Sequence, residues 1–184
     1  SMTLTRLVDG AADTLDIETT AAETIGTISV VHEETVTIDV ADGALAVTTF
    51  TATDITSLTV SGDNTADVGT ISGVNLATVD VSSMTANFTG VASASVVAMT
   101  ATGQTDATGT STFTMTTGAG ADTVTGSTGA DVLVTGNGND TISMGTGNDQ
   151  VDAGGGNDTI TNGGGTGAIT GGVGGDTFTG GSGV

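Results

Sequence analysis

Cysteine, proline, tryptophan and tyrosine are absent from the chain, and Arg6 is its single basic residue apart from one histidine. Without cysteine there are no disulfides, no thiolate metal ligands and no thiol nucleophile. Without Trp and Tyr, and with only 4 Phe, there is no stacking platform for bases or sugars. One Lys or Arg against 21 Asp and Glu leaves a formal net charge of −20, which repels a polyanion, so nucleic acid is excluded as a partner. No uninterrupted apolar run approaches the roughly 18 residues of a membrane-spanning helix, and no membrane insertion is expected.

What the chain does contain is Gly, Ala, Ser, Thr and Val. The β-branched residues favour extended backbone, so the composition is that of an all-β protein rather than a disordered one. At 184 residues the length suits one domain. The charge is nevertheless dense enough that something must neutralise it before the chain compacts. Ser1 and Met2 look like a cloning remnant, and Gly180, Gly181, Ser182, Gly183 and Val184 break off partway through a repeat, so the expectation is a piece of a longer protein.

That repeat begins near Gly118. Asp122, Asp131, Asp140, Asp149, Asp158 and Asp176 are separated by nine residues or a multiple of nine. Two residues after each such slot stands an apolar residue (Val124, Leu133, Ile142, Val151, Ile160, Ile169, Phe178), and two before it a glycine (Gly120, Gly129, Gly138, Gly147, Gly156, Gly165, Gly174). Ordinary turn chemistry requires no such fixed phase. Glycine at alternate positions permits a sharp turn over six residues, and the remaining three form a short strand whose middle side chain points inward. Two units then complete one coil. Asp122, Asp140, Asp158 and Asp176 line one edge, and Asp131 and Asp149 the other, stacked about 4.8 Å apart. Such a stack repels itself unless a hard divalent cation, with oxygen ligands at about 2.3–2.6 Å, links successive turns. Calcium fits better than magnesium, which demands a stricter octahedron, or zinc, which prefers the His and Cys this chain all but lacks.

These units, for example GNGNDTISM and GGGNDTITN, resemble the RTX (repeats-in-toxin) calcium-binding β-roll family over roughly the last third of the chain. The resemblance implies several Ca2+ ions, held by the Asp of each unit and by the carbonyls of the glycines two and four before it. Gly136, Gly138 and Asp140 form the cleanest set, with Gly145, Gly147 and Asp149, and Gly154, Gly156 and Asp158; Gly118 and Gly120 would serve with Asp122, Gly129 with Asp131, and Gly172 and Gly174 with Asp176. Gly167 stands where Asp belongs, which predicts a weak or missing site. Ser127 replaces a glycine, which matters little if only its carbonyl is used.

Residues 3–116 are poorer in glycine: 22 of the 31 glycines lie from Gly118 onward. Alternating segments (Val36, Ile38 and Val40; Leu45 and Val47; Leu58 and Val60; Val79 and Val81; Val97 and Met99; Phe113 and Met115) read as strands. From Leu58 they start about 16 to 21 residues apart, and SLTVSGDN and ATVDVSSM look like diverged copies of one unit. The expected fold is therefore a parallel β-solenoid, or β-helix, over residues 3–116 continuing into an RTX β-roll over 117–184. An immunoglobulin-type sandwich is the alternative for the first part. Segments 57–64 and 76–84 are similar to the Thr- and Val-rich solenoids of bacterial surface-layer (S-layer) proteins and large RTX adhesins.

No catalytic constellation is evident. His32 lies beside Glu33 and Glu34 with no nucleophile framed by glycines, and no Lys completes a phosphate-binding loop. The expectation is a non-enzymatic, secreted, cell-surface protein of the S-layer kind, exported by the type I route. It would self-associate in a lattice, with contact to cell-surface polysaccharide through the parent protein. A calcium-binding tail of an RTX enzyme or toxin, and an adhesin or ice-binding stalk, are the rivals. The outward Thr123 and Thr125, Thr141 and Ser143, Thr159 and Thr161, Thr177 and Thr179 would form two hydroxyl ladders on one face. Asp152 is expected to be solvated.

Overall fold

A computed structural model describes residues 2–7, 14–31 and 34–181. Ser1, His32, Glu33 and the last three residues, Ser182, Gly183 and Val184, lie outside the described residues. Among those described, every regular element is a strand: β1 (Met2–Leu7), β2 (Thr14–Glu18), β3 (Glu23–Val31), β4 (Thr35–Asp39), β5 (Leu45–Ala52), β6 (Ser57–Ser61), β7 (Ala66–Ile71), β8 (Thr78–Asp80), β9 (Phe88–Val91), β10 (Thr100–Thr102), β11 (Phe113–Thr116), β12 (Thr123–Thr125), β13 (Val132–Val134), β14 (Thr141–Ser143), β15 (Gln150–Asp152), β16 (Thr159–Thr161), β17 (Ala168–Thr170) and β18 (Thr177–Thr179).

Odd-numbered strands form one sheet and even-numbered strands the other, in unbroken sequence order and with every pairing parallel. The chain crosses from sheet to sheet at each connection, so the molecule is a two-sheeted β-solenoid. A sandwich of the immunoglobulin type would need antiparallel pairs. The inward side chains stack in register. In the even sheet Val36, Leu58, Val79, Ala101, Val124, Ile142, Ile160 and Phe178 follow one another up the axis. In the odd sheet Met115, Leu133, Val151 and Ile169 do the same. All but Ile169 and Phe178 are buried. Phe178 remains half exposed because no described coil covers it.

Coil size changes partway along. The pairings Thr35 to Ser57, Ser57 to Thr78, Thr78 to Thr100 and Thr100 to Thr123 give 21 to 23 residues per coil, whereas Thr123 to Thr141, Thr159 and Thr177 give 18. The larger coils enclose larger side chains, including Phe50, Phe88 and Phe113, with the last two rings stacked at 5.8 Å. The smaller coils order 18 residues around little more than the two inward strand residues. SLTVSGDN and ATVDVSSM sit directly over one another as β6 and β8.

Two expectations from the sequence need correction. Val97 and Met99 do not form a strand but lie in the connection before β10, whose inward residue is Ala101. The coils before β12 accordingly run at 21 to 23 residues, from the top of the expected 16 to 21 to beyond it. A small inward Ala flanked by two Thr gives a weak alternation signal, and the neighbouring Val and Met drew the assignment to themselves.

Candidate metal centre

In the roll, each six-residue turn except 162–167, which ends on Gly167, ends on the aspartate that precedes a three-residue strand. Turns 117–122, 135–140, 153–158 and 171–176 pass from the odd to the even sheet and make the first edge. Turns 126–131, 144–149 and 162–167 return and make the second. Asp122, Asp131, Asp140, Asp149 and Asp158 are at most 1% exposed, although five buried carboxylates are rare in a chain with a single basic residue outside its histidine. Asp176, on the last coil, is half-buried.

One oxygen of each carboxylate has a defined structural role, accepting the backbone N–H of the equivalent residue one coil earlier. Oδ1 of Asp140, Asp158 and Asp176 takes the N–H of Asp122, Asp140 and Asp158 at 2.8, 2.9 and 3.0 Å. On the second edge Asp149 Oδ1 takes the N–H of Asp131 at 3.0 Å. The ladder reaches beyond the nine-residue repeat, because Asp122 accepts from Met99 N–H and Asp131 from Phe113 N–H. The aspartates therefore tie the roll to the larger coils.

The second oxygen is different. Oδ2 of Asp122, Asp140, Asp149 and Asp158 is buried with no hydrogen-bond partner. A buried carboxylate oxygen without a donor is costly unless a cation or proton reaches it. Burial holds the carboxyl groups of Asp140 and Asp149 above the usual carboxylate range, and neighbouring aspartates push the same way. Their carboxylate forms are short of positive charge.

Glycine shapes the rest of the cradle. At Gly138 and Gly156 φ is 143° and 142°, and an added Cβ would lie 1.6 Å from the carbonyl oxygen of Gly120 or Gly138 in the turn before. The carbonyls two before each aspartate thus run along the axis into space that only glycine leaves open. Those four before it are already engaged: Gly118, Gly136 and Gly154 accept the N–H groups of Asn137, Gly155 and Val173. A carbonyl has a second lone pair, so both series keep one free for a ligand bond. Gly118, Gly120 and Gly129 lack the left-handed backbone that recurs at Gly136 and Gly138, Gly145 and Gly147, Gly154 and Gly156, and Gly172 and Gly174. The regular turn conformation starts one coil later than the sequence repeat.

The family model of the RTX calcium-binding nonapeptide repeat, in four copies, matches residues 114–142 and 145–169. The roll carries RTX repeats. No curated protein and no solved structure matches the chain.

The RTX turns fit a calcium ion by their donor set. Among the described residues no three His, Cys, Asp or Glu converge on one point. A cation here would draw on the partnerless oxygens of Asp122, Asp140, Asp149 and Asp158 together with backbone carbonyls, an all-oxygen set that suits a hard ion. When bound, the ion supplies the positive charge these buried carboxylates lack and cross-links successive turns.

Several participants were not read from sequence. The residue before the aspartate forms its own ladder: Asn139 Oδ1 accepts from Asn157 N–H, Asn157 Oδ1 from Gly175 N–H, and Asn148 Oδ1 from Thr166 N–H. The recurrent Asn-Asp pair was the available signal. Thr117 and Thr135 donate their buried hydroxyls to the carbonyls of Thr135 and Ala153. Ser127, expected to matter little, instead donates its N–H and hydroxyl to the Asp131 carboxylate, so that both oxygens there are partnered. At the Gly167 turn, no carboxylate follows to cap Asp149 N–H. Asp152 is exposed on the outer face of the odd sheet.

Proposed function

We propose that the chain is a non-enzymatic, calcium-dependent structural segment of a secreted bacterial surface protein, assembling in an S-layer lattice. The observation that carries this reading is the set of four buried carboxylate oxygens, at Asp122, Asp140, Asp149 and Asp158, left without donors inside turns that match RTX repeats. Metal binding is coupled to folding in such a case. Where calcium is scarce the roll stays open and suited to passage through a secretion channel, and where it is abundant the roll closes. RTX repeats are typical of secreted proteins, which supports an extracellular location.

Lattice assembly is supported by the outer face of the even sheet. From β10 to β18 it presents Thr100, Thr102, Thr123, Thr125, Thr141, Ser143, Thr159, Thr161, Thr177 and Thr179, in register and with no charged residue among them. On a molecule of net charge −20 this is a face on which a second copy could pack without like-charge repulsion. Electron microscopy of the purified chain on lipid or carbon should show ordered two-dimensional arrays when calcium is added and none in chelator. A chain that stays dispersed at saturating calcium contradicts the lattice. The same hydroxyl face favours, as a second reading, a stalk that binds ice; faceted ice crystals grown with the calcium-loaded protein would select it.

A further inference from the structure

We infer that calcium loads the two edges of the roll unequally, at Asp122, Asp140 and Asp158 on the first edge but only at Asp149 on the second, because Ser127 takes the place of a cation at Asp131. The inference rests on the calcium reading above and concerns where the ions sit.

On the first edge, three successive aspartates each leave Oδ2 buried and without a donor. On the second edge the carboxylates are satisfied by the protein itself until the Asp149 turn. In the connection before β11, Asp106 is surrounded by donors: the N–H and hydroxyl of Thr108, the N–H of Thr110, and the N–H and hydroxyl of Ser111. These hold its carboxyl below the usual range, the Thr108 hydroxyl most of all. In the next turn, Asp131 Oδ1 accepts from the Ser127 hydroxyl at 2.6 Å and from Phe113 N–H at 2.9 Å, and Oδ2 accepts from Ser127 N–H. The Ser127 hydroxyl oxygen in turn takes Gly129 N–H at 3.1 Å. The equivalent position in the turns of Asp140, Asp149 and Asp158 is Gly136, Gly145 and Gly154, which has no side chain to donate. Of the five fully buried repeat aspartates, Asp122, Asp140, Asp149 and Asp158 keep a partnerless Oδ2, and Asp131 alone would require an incoming ion to displace hydrogen bonds to both oxygens.

Beyond Asp149 the second edge ends as a binding column. Gly167 brings no carboxylate, and a Cβ added there would lie 2.7 Å from Met144 Cε and 2.8 Å from the Asp149 carbonyl oxygen, so the turn has closed over the vacated side-chain position. The second edge therefore carries two turns whose carboxylate oxygens are all hydrogen-bonded by the protein itself, one turn with a partnerless carboxylate oxygen and one without a carboxylate. The larger coils are joined to the roll at Asp131 through hydrogen bonds that need no ion.

The test is an anomalous difference map from crystals of the full chain grown with terbium in place of calcium. Peaks are expected at coordinating distance, about 2.3–2.6 Å, from carboxylate oxygens of Asp122, Asp140, Asp149 and Asp158, with none on Asp131. A peak on the Asp131 carboxylate overturns the unequal loading and leaves the calcium reading intact. A folded chain with no peak on any of these aspartates overturns the calcium reading itself. In solution, equilibrium dialysis with calcium should give the same number of bound ions for Asp131→Asn as for the unaltered chain, and at least one fewer for Asp158→Asn. Equal losses in the two variants contradict the inference. If Asp131→Asn does not fold, the map of the unaltered chain decides alone.

Discussion

Replacing Gly156 and its neighbour Gly155 by alanine, one at a time, separates the demand of the cradle from a general intolerance of the turn. At Gly156 φ is 142°, a backbone conformation that costs a residue with a Cβ about 1–3 kcal/mol. The new methyl would also begin 1.6 Å from the Gly138 carbonyl oxygen, and the gap would have to widen to at least 3.4 Å for an ordinary contact. That separation must come from between two hydrogen-bonded turns, and forced overpacking of this kind adds about 1–3 kcal/mol. The sum is roughly 2–6 kcal/mol, which for a chain of this size lowers a thermal midpoint by on the order of 10 °C. At Gly155 the nearest atom to an added Cβ is Asn137 Oδ1 at 3.3 Å, the end of a movable side chain, and no left-handed φ is required. Gly155→Ala should therefore be neutral within about 1 kcal/mol. Thermal unfolding followed by circular dichroism in saturating calcium provides the comparison. Equal midpoints for the two variants would refute the argument that axial carbonyls need glycine opposite them.

Three further outcomes follow from the geometry. Burial raises the folded-state pKa of Asp131, Asp140 and Asp149 above the ordinary 3.8, so without metal the native state binds more protons than the unfolded state between 3.8 and those raised values, and stability falls as pH rises through that window. In chelator, where the roll is open near neutrality, lowering the pH toward about 4 should restore strand signal, while with calcium it should lower the thermal midpoint because protons compete for the ligands; a loss of strand signal in chelator over the same range would contradict this. Ile142→Ala removes one of the few buried side chains of its coil and should cost about 2–5 kcal/mol in calcium, read from the same unfolding curves. Magnesium at matched concentration should restore little of the strand signal lost in chelator, since it gives up its waters reluctantly; full recovery with magnesium would count against a calcium-shaped cradle.

The roll was legible because one period fixed three things at once: the glycines that let turns approach, the aspartate that caps the preceding coil, and the apolar residue that faces inward. A register error would have broken all three. The larger coils offered no such triple constraint. In β7 the alternation is interrupted at Gly69, whose N–H is taken by Asp67 Oδ1 and where the pairing with β9 shifts register. In β9 the inward position is Gly90, where an added Cβ would strike the Phe88 ring at 2.9 Å. Alternation of side chains does not reveal strands whose inward residue is a glycine or an alanine. The closed state of the Asp131 turn was beyond sequence for another reason: Ser127 reads as a small replacement for glycine, and only the folded turn aims its hydroxyl at a carboxylate four residues on.

Hydrogen–deuterium exchange resolved by peptide, in calcium and in chelator, bears most directly on the claim that cations complete the roll. Peptides from residues 117–181 should be protected in calcium and exchange rapidly without it, whereas peptides from 34–102, enclosed by the larger core, should remain protected in both. Equal protection of 117–181 in chelator would show that the buried carboxylates stand without ions, and the account would fail.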